Sequence, residues 1–343
     1  MGQATTAVVT EGRIVPFPSE RSIGRWYLHA PNGLEASGDA VGEVEVPPGG
    51  LLELEVIGEA AADLTPLEAL RPDDLHSLHV ESIAFTDAAA VHLRGLISLE
   101  GLGLADTQIS DVGIEFLLRR LPKLRSLDLA RTRVTDVAMD IVGRHRPIES
   151  LNLWGTAVSD RGLEKLRGLR QLRRMVLHGT RMTGDGMAHV GRLSNLEELD
   201  LWGVPVTDRA AGSLGRLGAL RTLDLWGTSV TARGLAKLGE LPNLESLVLC
   251  GPAVTDSSMD LLGGFPALRA LEIHGLTELA DGRPVPSVTD DGLRLLGSRT
   301  SLKAIRIVGT RVTESGVARL RQMLPACAIE WHAHPDIRWF YRT

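Results

Sequence analysis

The sequence predicts an α/β solenoid: a parallel sheet on a concave side, short helices on a convex side, and a small β-rich cap at the N-terminal end. Three observations predict it. A unit of about 24 residues recurs along most of the chain. Each unit opens on an LxL alternation, which reads as a short strand with one buried face. Each then passes a glycine and enters leucines at helical spacing. The repetition is plain in LNLWGTAVSDRGLEKL from Leu151, LDLWGVPVTDRAAGSL from Leu199 and LDLWGTSVTARGLAKL from Leu223.

The full unit reads LxxLxLxGTxVTDxGLxxLxxLxx. Its first apolar position falls at Leu75, Leu99, Leu124, Ile148, Leu172, Leu196, Leu220, Leu244, Leu268 and Leu302. The step from 268 to 302 is longer by about ten residues, which places an insertion near 277–286. Cys327 takes the leucine place in a last partial unit, CAIEW. Gly155, Gly203 and Gly227 allow the sharp turn after the strand. Thr-Asp pairs such as Thr135-Asp136 supply side-chain oxygens at the helix start. Leu163, Leu166 and Leu169 line the inner side of a helix. One unit cannot bury its own apolar face, whereas stacked units can.

These motifs resemble the leucine-rich-repeat family over residues 75–331. The VTDxGL segment resembles the cysteine-containing subclass found in F-box, ribonuclease-inhibitor-like and bacterial repeat proteins. Thr107, Thr132, Thr156, Thr180, Thr228 and Thr310 stand where that subclass has cysteine. The resemblance implies a hydroxyl ladder bonding backbone between turns, and a binding function rather than a reaction. It is poor for naming the function, because this fold carries many binding jobs.

The ends depart from the repeat. In residues 1–74, Trp26-Tyr27-Leu28, Val44-Glu45-Val46 and Leu52 to Val56 alternate like strands, with Pro47 to Gly50 as a turn. They form the expected cap, and Asp63 to Leu75 is a short helical bridge. That bridge resembles an F-box helix but is too short for a three-helix F-box. Residues 332–343 form an aromatic tail with Trp339, Phe340 and Tyr341, just after Trp331. The tail either caps the last repeat or docks a partner.

Composition bounds the function. The chain has 343 residues, a formal charge of -6 and a pI near 6.0, which argues against a nucleic-acid partner. No apolar run is long enough to span a membrane as a helix, and no leader pattern opens the chain, so the expected setting is cytoplasmic. Cys250 and Cys327 form no CxxC pair, and no metal or cofactor motif is present.

Strand alternation assigns the outward residues. If Leu199 and Leu201 face the core, Asp200 and Trp202 face out. One outward column then runs Trp154, His178, Trp202, Trp226, Cys250 and His274, spanning roughly 24 Å at about 4.8 Å per strand. Three of the six tryptophans lie in it. Beside it stand Asp128, Asn152, Asp200, Asp224 and Glu272, with Glu198 one column further and Arg174 interrupting the acids. An outward tryptophan row marks an interaction surface. It equally fits indoles packed flat on the neighbouring glycines. Carboxylates beside indoles suit a protein partner with basic and apolar contact residues. Two alternatives stand beside this protein-binding scaffold. One is a substrate receptor of the ubiquitin-ligase kind. The other is a hydrolase or transferase using Cys250 and His274, for which a flat sheet offers no evident pocket.

Overall fold

The computed structural model describes residues 12–57, 63–82, 84–239, 241–275 and 287–333. The insertion near 277–286 and most of the aromatic tail lie outside the described residues. By its contacts the chain divides into two units, Met1–Asn152 and Leu153–Thr343.

In the first unit, β1 (Arg13–Pro16), β2 (Arg25–His29), β3 (Glu35–Asp39), β4 (Glu43–Val46) and β5 (Leu51–Glu55) precede the repeats. β1 pairs antiparallel with β4, and β2 pairs antiparallel with β3 and β5. The Asp63 to Leu75 bridge is a single 3-10 turn, Thr65–Ala69, opened by Pro66. β5 then pairs parallel with β6 (Ser77–His79), and β7 (Gly101–Gly103), β8 (Ser126–Asp128) and β9 (Ser150–Asn152) follow in parallel order. Helices α1 (Asp111–Leu118) and α2 (Ala138–Val142) connect them.

The second unit is repeat throughout. Its strands are β10 (Arg174–Val176), β11 (Glu198–Asp200), β12 (Thr222–Asp224), β13 (Ser246–Cys250), β14 (Ala270–His274), β15 (Ala304–Val308) and β16 (Ala328–His332). All pair parallel with their sequence neighbours. Between them run α3 (Asp160–Lys165), α4 (Met187–Val190), α5 (Asp208–Leu214), α6 (Ala232–Leu238), α7 (Asp256–Leu261), α8 (Asp290–Leu295) and α9 (Glu314–Met323). The register aligns Met175, Leu199, Leu223, Leu247, Leu271 and Ile305, all buried. Full burial of each such side chain contributes roughly 1.5–3 kcal/mol, so this row carries much of the folding energy. All ten first positions of the repeat, Leu75 to Leu302, are also buried. The glycines after the strands adopt left-handed backbone, with φ of 66°, 67° and 66° at Gly155, Gly203 and Gly227.

One expectation about the turns is corrected. The hydroxyls of Thr107, Thr132, Thr156, Thr180 and Thr228 do not reach between turns. Each donates to the carbonyl three residues back in its own turn, at 2.7–2.8 Å. A threonine side chain is too short to span to the next strand once that local acceptor is in reach. Thr310 differs again and accepts from Val312 N at 3.4 Å.

The bond between turns lies instead at the helix starts. The Asp of each VTD motif reaches forward to the Ser or Thr of the next. Asp208 Oδ1 accepts from Thr231 N and Oδ2 from Thr231 Oγ1, both at 2.7 Å. The same pair of bonds joins Asp87 to Ser110, Asp111 to Thr135, Asp160 to Thr183, Asp256 to Thr289 and Asp290 to Thr313. This arrangement explains the glycine of the motif. A Cβ at Gly234 would stand 2.4 Å from Asp208 Oδ1, and Gly113, Gly186, Gly292 and Gly316 face the same obstacle from Asp87, Asp160, Asp256 and Asp290. Where the carboxylate is missing, the glycine is too: Gly184 is followed one repeat later by Ala210, and Ala232 by Ser258. Ala138, which meets Asp111 through its N–H at 3.2 Å, departs from this pairing.

Gly234→Ala therefore destabilises the protein, although alanine ordinarily favours a helix over glycine by about 1 kcal/mol. Asp208→Ala alone costs roughly 1–3 kcal/mol by leaving the Thr231 N–H without its acceptor. In the double variant the Gly234→Ala cost shrinks by at least about 1 kcal/mol. Urea unfolding of the four proteins measures this coupling, and strict additivity contradicts the ladder.

Candidate functional site

The outward column is ordered differently along its length. Trp154 stacks on His178 with ring centroids 5.4 Å apart and planes 10° apart. His178 meets Trp202 edge-on at 3.8 Å. Trp226 meets His274 at 4.0 Å, across the strand that carries Cys250. All four rings in Trp154, His178, Trp202 and Trp226 are half-buried. Trp154 also lies 3.5 Å from where a Cβ on Gly179 would stand, so indole-on-glycine packing is part of the arrangement.

Two members of the column depart from the expectation of an outward surface. Cys250 is 2% exposed and His274 7% exposed. β13 and β14 run two residues longer than β10, β11 and β12, so these positions lie inside the paired strands, Cys250 opposite His274. There the small thiol lies in register between the neighbouring rings of Trp226 and His274. Cys327, expected at a buried leucine place, is partly exposed. It lies just before β16, which pairs on one side only.

The rings border a half-open cavity of about 300 Å³. Its walls are Trp154, His178, Trp202, Trp226 and His274, and its floor is Val176, Asp200, Asp224, Val248 and Glu272, one residue from each of β10 to β14. The expectation of a sheet without a pocket is thereby corrected: the rings flank the floor residues and give it partial sides. Val176 and Val248 were missed in the sequence, although they occupy the same alternating column as Asp200, Asp224 and Glu272. Arg174 and Glu198 pair with each other at 2.7 Å in register, and neither lines the cavity. Asp128 and Asn152, in the first unit, bond to each other at 2.9 Å.

The carboxylates have local duties as well. Asp200 Oδ1 accepts from Trp202 N at 2.9 Å, and Asp224 Oδ1 from Trp226 N at 2.7 Å. Each bond ties an acid to the backbone two residues on and so fixes where the indole leaves the strand. Glu272 Oε1 lies 2.6 Å from His274 Nε2, with Arg306 Nη1 3.9 Å away.

Burial dominates the electrostatics. It pushes the Asp224 carboxyl up to about 7, with Asp200 and Glu272 adding to the rise and the Trp226 N–H opposing it. Burial also lowers His178, against the opposing charge of Asp200. The Cys250 thiol is pushed up to about 11 by burial. Cys250, His274 and Glu272 are brought together, but a thiol in that range is protonated at neutral pH, the unreactive form. Among the described residues, no group of three or more His, Cys, Asp and Glu is placed to hold a metal ion. No described helix is long and apolar enough to cross a membrane.

No family model and no curated protein matches the chain. Among solved structures it is similar to a leucine-rich-repeat protein of Leptospira interrogans, at 18% identity and a TM-score of 0.49, covering 75% of this chain and 72% of that one. It is also similar to an internalin of Listeria monocytogenes, at 13% identity and a TM-score of 0.44, covering 80% of this chain and 89% of that one. The deciding observation is the chain's own register, in which parallel strands recur once per repeat with short helices between them. The fold is a leucine-rich-repeat solenoid. Both units of this leucine-rich-repeat chain carry the repeat, and the cavity belongs wholly to Leu153–Thr343.

Two outcomes follow from the burial of these groups. Between about pH 4 and pH 7 the folded protein holds a proton on Asp224 that the unfolded chain has released, so this group's contribution to stability falls as pH rises through that window. Its full penalty stands above pH 7. Asp224→Asn flattens that slope and raises the unfolding midpoint at pH 8 relative to wild type; an unchanged pH profile contradicts the burial. Under native conditions at pH 7.5, iodoacetamide labels Cys327 well before Cys250, as peptide mass spectrometry reads; equal rates contradict it.

Proposed function

We propose that this protein is a protein-binding scaffold that engages its partner through the cavity on β10 to β14, taking a basic side chain flanked by apolar ones. One observation carries the reading. The cavity's ten lining residues include three tryptophans and three carboxylates, and no lysine or arginine. Indole faces attract cations through the ring quadrupole, and carboxylates add charge complementarity. Tryptophan in a partly closed pocket is also the commonest kind of interface anchor. The volume, about 300 Å³, sits at the small end of the range for ligand pockets, enough for one side chain rather than a large cofactor.

The finer resemblance adds little to this site. The cysteine-containing subclass, and with it a ubiquitin-ligase receptor role, rests on VTDxGL alone, and no residue of that motif lines the cavity. An enzyme using Cys250 and His274 would need a thiolate that burial opposes. The free thiols of Cys250 and Cys327 fit a reducing, cytoplasmic setting.

A displayed library of unstructured peptides, selected on the intact protein, tests the reading. Enriched sequences carry Arg or Lys beside apolar residues, and they lose at least about tenfold in affinity on Asp200→Ala with Asp224→Ala, a loss of roughly 1.4 kcal/mol or more. Circular dichroism first establishes that the variant is folded. Enrichment of acidic peptides, or equal affinity for the variant, contradicts it.

A further inference from the structure

Resting on the protein-binding reading above, we infer that the cavity is a cage for a quaternary ammonium group, presented by a trimethylated lysine of the partner. The reasoning concerns what the walls offer and what they withhold. A primary ammonium brings three N–H donors and a guanidinium five, and each donor needs an acceptor once it leaves water. The cavity supplies few in one place. Oδ1 of Asp200 and of Asp224 are already taken by the N–H groups of Trp202 and Trp226, at 2.9 and 2.7 Å. Glu272 Oε1 is engaged by His274 Nε2 at 2.6 Å. The Oδ2 atoms of Asp200 and Asp224, on adjacent strands, offer acceptors on one side, while Glu272 stands two strands beyond Asp224, about 9.6 Å away at the usual strand spacing, so the acceptors in one place are fewer than the donors of an ammonium or a guanidinium.

A quaternary ammonium asks for no acceptor. It has no N–H, it is bulky and weakly hydrated, and its charge is satisfied by ring faces and by diffuse negative potential. The cavity has both. Trp154, Trp202 and Trp226 line it and supply ring surface. Burial lowers the His178 pKa against the charge of Asp200, which disfavours an opposing charge on that ring. Asp200, Asp224 and Glu272 supply the potential from below. The groups facing Asp224 are Asp200 on β11, Glu272 on β14 and the rings of His178 and His274, with Arg306 on β15 held at Glu272. Raising the pH through 7 ionises Asp224 and deepens the potential, so a permanent cation binds more tightly at pH 8 than at pH 6.

The experiment uses the full chain, with tryptophan fluorescence and calorimetry at pH 8. Three otherwise identical capped peptides are titrated, carrying trimethyllysine, lysine, or the neutral tert-butyl isostere of trimethyllysine; tetramethylammonium chloride is the fourth ligand. Trimethyllysine binds at least about tenfold more tightly than each of the other three, and Trp226→Ala abolishes the difference. Trp226→Phe, which keeps a ring and guards against misfolding, retains a reduced preference. Lysine binding as tightly overturns the cage while leaving the protein-binding reading intact. An equal isostere overturns the cationic recognition. Equal tetramethylammonium overturns the protein source in favour of a free small cation. Failure of every ligand overturns the inference, whereas the reading beneath it is judged by the peptide selection, which contains no modified lysine.

Discussion

Parallel pairing of strands one repeat apart stacks like residues on like, about 4.8 Å from strand to strand. The consequences run in three directions. Inward, Leu199, Leu223 and Leu247 form a buried row that no single repeat could shelter. At the helix starts, the same register brings Asp208 under Thr231, and a carboxylate joins one turn to the next. Outward, it sets Asp200 beside Asp224 and builds a charged floor from residues 24 positions apart in the chain.

That outward floor has an electrostatic cost. Burial desolvates Asp224, the neighbouring Asp200 and Glu272 repel it, and the cost shows as a carboxyl pushed up to about 7. The fold tolerates this because each acid also secures a turn, through the N–H of Trp202 or Trp226. The same bonds hold the indoles at the cavity rim. A structural role and the proposed recognition role therefore meet in the same side chains, and a loss of binding in an Asp200 or Asp224 variant is informative only beside a measurement of folding.

Much of the repeat was legible because it is periodic. The ten leucine-type positions are buried, and the glycines after the strands turn with positive φ. The column of outward residues could be named by alternation, and five of its members, Trp154, His178, Trp202, Trp226 and His274, line the cavity. What periodicity could not give was strand length. β13 and β14 extend to Cys250 and His274, which buries both. Nor could it give the direction of a side chain's bond. Thr156 and its equivalents bond within their own turn, while the bond between turns belongs to the aspartates, a role hidden until the glycine at 234 or 292 is seen to clear space for one. The cavity was missed because a column of residues says nothing of how the rings tilt. Trp226 and His274 meet only because the residue between them is as small as Cys250.

The proposed ligand site is bordered by the rings of Trp154, His178, Trp202, Trp226 and His274. The most direct measurement is a 1H–15N spectrum of the indole N–H groups, titrated with the tightest cationic peptide from the selection. The account predicts that the resonances of Trp154, Trp202 and Trp226 move together along one binding curve, while Trp26, on β2, and Trp331, on β16, stay in place. Shifts confined to Trp26 or Trp331, or a saturated complex in which the three cavity indoles do not move, would contradict it.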